Sequence, residues 1–242
     1  MTSPSTVELL WGTARPARRG PKPALTLGGI VDAAIGLADA DGLANLSMQR
    51  LAERLGFTKM SLYRYVPGKE QLTALMLDAA MGEPPSRASD SWRAGLRDWA
   101  HALFTRYRAH PWALELAVGP RPIGPNEMGW LDAALRAMDG TGMTGPERLD
   151  TVVLLSGHVR ALAQQLGTAS DDVSADRIQS AYRDTFAAAG DRYPAVLAAF
   201  AEEAEQESSG AALDFGIDRI LDGLAALIAN RAISNPPTPG SA

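Results

Sequence analysis

Residues 46–72 read LSMQRLAERLGFTKMSLYRYVPGKEQL, and this stretch decides the fold. Ser47 offers a hydroxyl cap to the run Met48, Leu51, Ala52, Leu55, whose spacing puts four apolar side chains on one face of a short helix. Gly56 follows, the residue type that most readily takes the left-handed conformation ending a helix. Thr58 then caps a second short helix through about Tyr65, in which Leu62 and Val66 face inward while Lys59, Met60, Ser61 and Arg64 project. Pro67 and Gly68 end it, and Leu72, Leu75, Met76 and Ala79 mark the next helix.

Working outward, Thr26 caps an earlier helix with Leu27, Ile30, Val31, Ala34, Ile35 and Ala38 on one face, ending near Gly42. Two short helices joined by a glycine turn, packed on a third, form a helix-turn-helix. The polar second helix is either a solvated face or a probe for DNA. About seven residues at 1.5 Å each give a probe about 10 Å long, which suits a major groove about 12 Å wide. Lys59 can reach guanine acceptors or phosphate, Ser61 a base edge and Met60 a thymine methyl, with Tyr63, Arg64 and Tyr65 at the phosphates. Tyr63, beside Leu62, can alternatively pack on the first helix.

The whole chain of 242 residues is long enough for a substantial core, with 46% apolar residues and a net charge of −5. Its charge is uneven. Residues 1–80 hold nine Lys/Arg against seven Asp/Glu, and the remaining residues hold fourteen against twenty-one. The segment WGTARPARRGPKP carries Arg15, Arg18, Arg19 and Lys22 without an acid; it is either a plain tail or an arm that enters the minor groove beside the reading helix. A passive DNA-packaging protein would need a more basic surface. The absence of cysteine excludes disulfides and thiol catalysis. No leader pattern and no run of about 18 apolar residues occurs, so a cytoplasmic protein without a membrane span is expected.

Beyond the break GEPPSRASD, every pattern is helical. Trp92, Leu96, Trp99, Leu103 and Tyr107 recur on one long helix that stops before Pro111. The segment PWALELAV and the loop GPRPIGP follow, then helices over about 126–139, 146–168, a broken pair over 174–206, and 211–231 before the tail SNPPTPGSA. The expectation is an all-α chain: a basic flexible arm (1–25), a helix-turn-helix three-helix domain (26–81), a larger helical effector-binding and dimerisation domain (88–233) and a disordered tail (234–242).

Thr26 to Met81, with LSMQRLAERLGFTKMSLYRYVPGKEQL at its centre, closely resembles the DNA-binding domain of TetR-type transcriptional repressors. The resemblance implies that Thr58, Lys59, Met60 and Ser61 read bases, that Tyr63, Tyr65 and Lys69 hold the DNA backbone, and that Ser47 and Gln49 meet the neighbouring strand. The body, through GPRPIGP and LDTVVLLSGHVRALAQQ, resembles the tetracycline-repressor-like subgroup. In that architecture two long helices of each subunit, here about 146–168 and 211–231, build a four-helix dimer core. Leu149, Val152, Val153, Leu213, Ile217, Ile220, Leu224 and Ile228 would supply apolar faces for subunit core and dimer alike.

In metal-tetracycline repressors a metal-ligating histidine precedes the G-x-R-P turn. Here the matching position is about Ala117, and His101, His110 and His158 have no zinc spacing, so no metal and no cofactor is expected. A small-molecule effector, apolar or aromatic, would meet Trp99, Leu103, Tyr107, Leu116, Trp130, Met138, His158 and Tyr182, which fall on helices that surround the family's cavity. Each can instead be ordinary core, and His158 either a satisfied core histidine or the polar anchor of a greasy ligand.

No phosphate loop or nucleophile–base pair is evident. Ser156 and His158, two residues apart on a helix, point in nearly opposite directions and cannot form a dyad. The reading is therefore not an enzyme but a homodimeric DNA-binding repressor, released from an inverted-repeat operator by an effector. The alternatives within regulation are an activator or an effector-independent regulator.

Overall fold

The structure, a computed structural model, describes residues 4–13, 25–85, 91–166, 180, 182–205 and 211–234, and among these no strand occurs. Its helices are α1 (Thr6–Leu10), α2 (Leu27–Asp41), α3 (Met48–Leu55), α4 (Lys59–Tyr63), α5 (Lys69–Met81), α6 (Trp92–Ala109), α7 (Ala113–Leu116), α8 (Pro125–Ala137), α9 (Gly145–Leu166), α10 (182–189), α11 (Pro194–Glu205) and α12 (Ala211–Ser234). Single 3-10 turns occur at Leu43–Asn45 and Gly190–Arg192.

The starts expected from hydroxyl residues are where local chemistry puts them. Thr26, Ser47 and Thr58 accept from the backbone N–H groups of Gly29, Arg50 and Ser61, each satisfying a donor that a helix start leaves without a partner. Gly56 closes α3 at φ 71°, a left-handed conformation that a Cβ disfavours. Ile30, Ala34, Leu51, Leu62, Val66, Leu72 and Met76, all fully or almost fully buried, are the centre onto which α2 to α5 fold.

Two expectations change. The second helix of the motif ends at Tyr63, not near Tyr65, so the regular part is five residues, about 7 Å long. Tyr65 and Val66 instead donate their backbone N–H groups to the Leu62 carbonyl in a tight turn. In the segment read as a flexible arm, residues 6–10 form a helix. Ser5 and Glu8 make a reciprocal capping box, and Leu9 and Leu10 are buried as α1 packs on α5. Trp11 Nε1 donates to the Ile123 carbonyl at 3.1 Å, which ties the end of α1 to the loop before α8.

The chain divides into two compact units, Met1–Ser156 and Gly157–Ala242. In the first, α5 lies against α1 and α2 and also against α6, α7 and α8. In the second, Val159 and Ala163 of α9 and Ile217, Leu221 and Leu224 of α12 are buried. Gly216 allows the close approach of α12 to His158, because a Cβ there would overlap the imidazole ring. Val153 and Leu154 on α9, and Phe215 on α12, are large apolar side chains left exposed. The expected tail beyond Ser234 lies outside the described residues.

Candidate functional site

The outer surface of α4 is built for contact. Met60 is 73% exposed, and Lys59, Tyr63 and Arg64 are exposed beside it, while Leu62 on the opposite side is wholly buried. A large apolar side chain at that exposure gains nothing from the fold. Lys59 Nζ lies 5.7 Å from the Tyr63 ring centroid, so the ammonium rests over an aromatic face at the rim of the helix. Thr58 Oγ1 and Ser61 Oγ are 2.9 Å apart, and Thr58 also caps α4. Ser61 is half-buried, Tyr65 likewise, and Lys69 is exposed at the start of α5.

On α3, Ser47 caps its own helix and remains exposed, whereas Gln49 Nε2 donates to Glu53 Oε1 at 2.7 Å. Ser47, Gln49, Thr58, Lys59, Met60, Ser61, Tyr63, Arg64, Tyr65 and Lys69 therefore all sit on α3, α4, their flanking turns or the first residue of α5. Arg15, Arg18 and Arg19 lie outside the described residues.

The expected effector-binding side chains separate into groups. Trp99, Leu103 and Tyr107 on α6, Trp130 on α8 and Met138 just beyond it are buried, and Leu116 at the end of α7 is half-buried. Trp99 and Trp130 meet edge to face with centroids 6.0 Å apart. Their N–H groups are committed to backbone: Trp99 Nε1 donates to the Trp130 carbonyl at 2.9 Å, and Trp130 Nε1 to the carbonyls of Met81 and Gly82 at 3.2 and 2.9 Å. Trp130 thus holds the C-terminal end of α5, where helix carbonyls lack internal partners.

A second grip on α5 comes from Asp78, a buried carboxylate that accepts from the Glu127 N–H at 3.0 Å in the first turn of α8. Asn126 Nδ2 donates to the Asp78 backbone carbonyl at 3.0 Å. Gly124 permits this approach, since a Cβ there would overlap the Asp78 carboxyl. Burial pushes the Asp78 carboxyl above its ordinary value; the Glu127 N–H opposes this, the Glu127 charge adds to it, and Arg121 opposes it. Arg121 itself forms a two-pronged pair with Glu127 at 2.5 and 2.7 Å. The loop GPRPIGP is therefore wired to the end of α5, which sequence spacing alone did not reveal.

In the second unit, His158 Nε2 donates to the Leu213 carbonyl at 3.1 Å, which gives its ring a structural partner. Tyr182 is 45% exposed and packs with Phe186 and Phe200, with centroids 5.7 and 5.0 Å away.

Comparison with known proteins decides the family. Residues 30–76 match the bacterial regulatory proteins of the tetR family, and residues 84–228 match the tetracyclin repressor-like C-terminal domain. The chain belongs to the TetR family of transcriptional regulators. This TetR-family chain is 39% identical to the HTH-type transcriptional repressor DrrR1 of Streptomyces coeruleorubidus, over 96% of its own length and 89% of the relative's. The crystal structure of apo ActR from Streptomyces coelicolor superposes with a TM-score of 0.72 at 26% identity, covering 88% of this chain and all of the other. ActR in complex with actinorhodin gives a TM-score of 0.68 at 27% identity, covering 84% and 98%. The all-α architecture with an N-terminal helix-turn-helix and a C-terminal helical domain is that of these regulators. The relatives are regulators of transcription, not enzymes. Among the described residues, no helix is long and apolar enough to cross a membrane.

Proposed function

We propose that this protein is an effector-responsive transcriptional repressor that binds an inverted-repeat operator as a homodimer, with α4 as its reading helix. The observation that carries the proposal is the exposed, polar outer face of α4 over a wholly buried Leu62. Lys59, Met60 and Ser61, with Thr58, would meet base edges; Tyr63, Arg64, Tyr65 and Lys69 would grip phosphates, with Ser47 and Gln49 at the neighbouring strand. Arg15, Arg18 and Arg19 would add phosphate or minor-groove contacts.

The similarity to the repressor DrrR1, and to ActR, which is known bound to actinorhodin, supports repression relieved by an organic ligand. Leu103, Tyr107, Leu116 and Met138, buried or half-buried on and beside α6 to α8, would meet the effector, which would enter without a metal. Because α8 holds α5 through Asp78 and Trp130, a ligand that moves α8 would move the helix leading directly out of the reading motif. Only a ligand with higher affinity for the DNA-incompetent state does this, and a difference of about 2 to 3 kcal/mol weakens DNA binding about 30- to 150-fold.

One short reading helix contacts too few base pairs for useful specificity, so a second subunit must supply another. Leu149, Val153 and Leu154 form an exposed apolar stripe on α9, suited to a second copy, whereas Leu224, buried within its own unit, serves the subunit core. The test is the double variant Lys59→Ala and Ser61→Ala on the footprinted operator. A loss of about 1 to 3 kcal/mol per base contact is expected, and undiminished affinity would remove α4 from the reading role.

A further inference from the structure

The helices α2 to α5 are joined to the rest of their unit chiefly through α5, against α6, α7 and α8. Bonds made along α5 act close to its own axis and so have little leverage against rotation about it. A second attachment stands on α2. Asp39, in the last turn of α2, accepts at a single oxygen, Oδ1, from His110 Nδ1 at 2.8 Å and from Trp112 Nε1 at 2.6 Å. The two donors come from the turn between α6 and α7, 71 and 73 residues away in the chain.

Several features make this a built junction. The His110 and Trp112 rings lie 5.7 Å apart, tilted so that both N–H groups converge on one acceptor. Pro111 stands between them, and the turn is fixed by bonds from the His110 N–H to the Arg106 carbonyl and from the Ala113 N–H to the His110 carbonyl. Trp112 is only 4% exposed, so its indole N–H depends on the carboxylate rather than on water. Charge-assisted bonds of this length are directional and hold an angle better than an apolar contact does. Asp39 is also of the wrong sign for its own helix, because a carboxylate in the last turn opposes the helix dipole and no basic residue offsets it there. The stability of α2 gives no reason for an acid at this position.

We propose that Asp39, His110 and Trp112 form a latch that fixes the angle of the reading motif against the effector-binding helices, and so sets the half-site spacing that the dimer accepts. The three are positioning residues. This rests on the homodimer and inverted-repeat reading above. With both attachments made, the two reading helices of the dimer present a single separation and a single twist. With the latch opened, each motif swings about α5, and the dimer loses its preference for one spacing.

The experiment uses full-length protein and three duplexes: the footprinted inverted repeat, and the same repeat with one base pair inserted or removed between half-sites. One base pair moves a half-site by about 3.4 Å and turns it by about 35°, which a rigid dimer cannot follow. Wild type is expected to favour the native spacing sharply. Asp39→Ala and Trp112→Phe are expected to bind the native spacing about tenfold more weakly while changing less than about twofold on the altered spacings, because only the pre-organised geometry is lost. Asp39→Asn keeps an Oδ1 acceptor and should retain the wild-type preference. Trp112→Phe keeps the ring packing and decides the matter should Asp39→Ala melt early. An equal loss at all three spacings would show a merely structural role and overturn the latch, as would unchanged discrimination. If wild type protects no inverted repeat, the operator reading fails and takes the latch with it; if wild type protects one and the variants keep its spacing preference, that reading stands and the latch alone falls.

Discussion

Helix α4 and Trp130 in the middle of α8 both offer polar groups on apolar bodies, and the chain treats them oppositely. On α4 and the residue that ends it, Lys59, Met60, Tyr63 and Arg64 lie outward, so their desolvation is deferred until a partner arrives. On α8, Trp130 is buried at 4% exposure, and its N–H is bonded to the carbonyls that end α5. A binding face needs donors not yet consumed by the fold, whereas a transmitting face needs every donor consumed, because an idle buried one would let the joint relax. Substitutions on the two faces should therefore separate stability from DNA binding.

The largest effect expected is at Trp130. Trp130→Ala removes a buried indole that also holds α5, and should cost about 3 to 5 kcal/mol in urea or thermal unfolding. A cost under about 1 kcal/mol would mean that the α8 face is not core, and the contrast would collapse.

A subtler effect is expected at Asp78, and it depends on pH. Burial raises its carboxyl in the folded chain, so the folded protein holds that proton more tightly than the unfolded one. The contribution is thus most favourable below the ordinary carboxylate range and is lost as pH rises through the raised folded value. Asp78→Asn, whose side-chain oxygen can still accept from the Glu127 N–H, removes this titration. Relative to wild type, the variant should gain stability as pH rises from the ordinary carboxylate range through the raised folded value. Urea melts at several pH values check this, and a stability difference independent of pH would sink the assignment.

The smallest effect belongs to the reading face. Lys59→Ala with Ser61→Ala should shift unfolding by no more than about 0.5 kcal/mol, although the same pair is expected to weaken operator binding strongly. A large loss of stability would place these side chains in the fold rather than at an interface.

Much of this was legible in the sequence, for reasons that are local. The caps at Thr26, Ser47 and Thr58, the left-handed Gly56 and the inward Leu62 and Val66 are each set by a few neighbouring residues, so spacing and residue type suffice to place them. Helix α1 is locally legible too: Ser5 and Glu8 have the spacing of a capping box, a signal that the arginines further along the segment mask. What could not be read is long-range. Nothing near Trp130 says that its indole will meet Met81 and Gly82, nothing near Asp39 points to residues 110 and 112, and nothing near His158 announces the Leu213 carbonyl. Such partners are chosen by the packing of whole helices. The aromatic residues expected to meet an effector stand out by type and spacing, while the bonds from Trp99 and Trp130 to backbone carbonyls do not.

In the proposed function α4 reads DNA in duplicate, through two copies of this chain related by a two-fold axis. Footprinting of the wild-type protein on its own upstream DNA, combined with analytical ultracentrifugation of the complex, tests this most directly. The expected result is a dimer protecting an inverted repeat whose half-sites lie about 34 to 36 Å apart, one helical turn, on the same face of the duplex. Val153→Asp on the exposed stripe of α9 should yield a folded monomer that no longer protects the site. A stable wild-type monomer protecting an asymmetric sequence would contradict it.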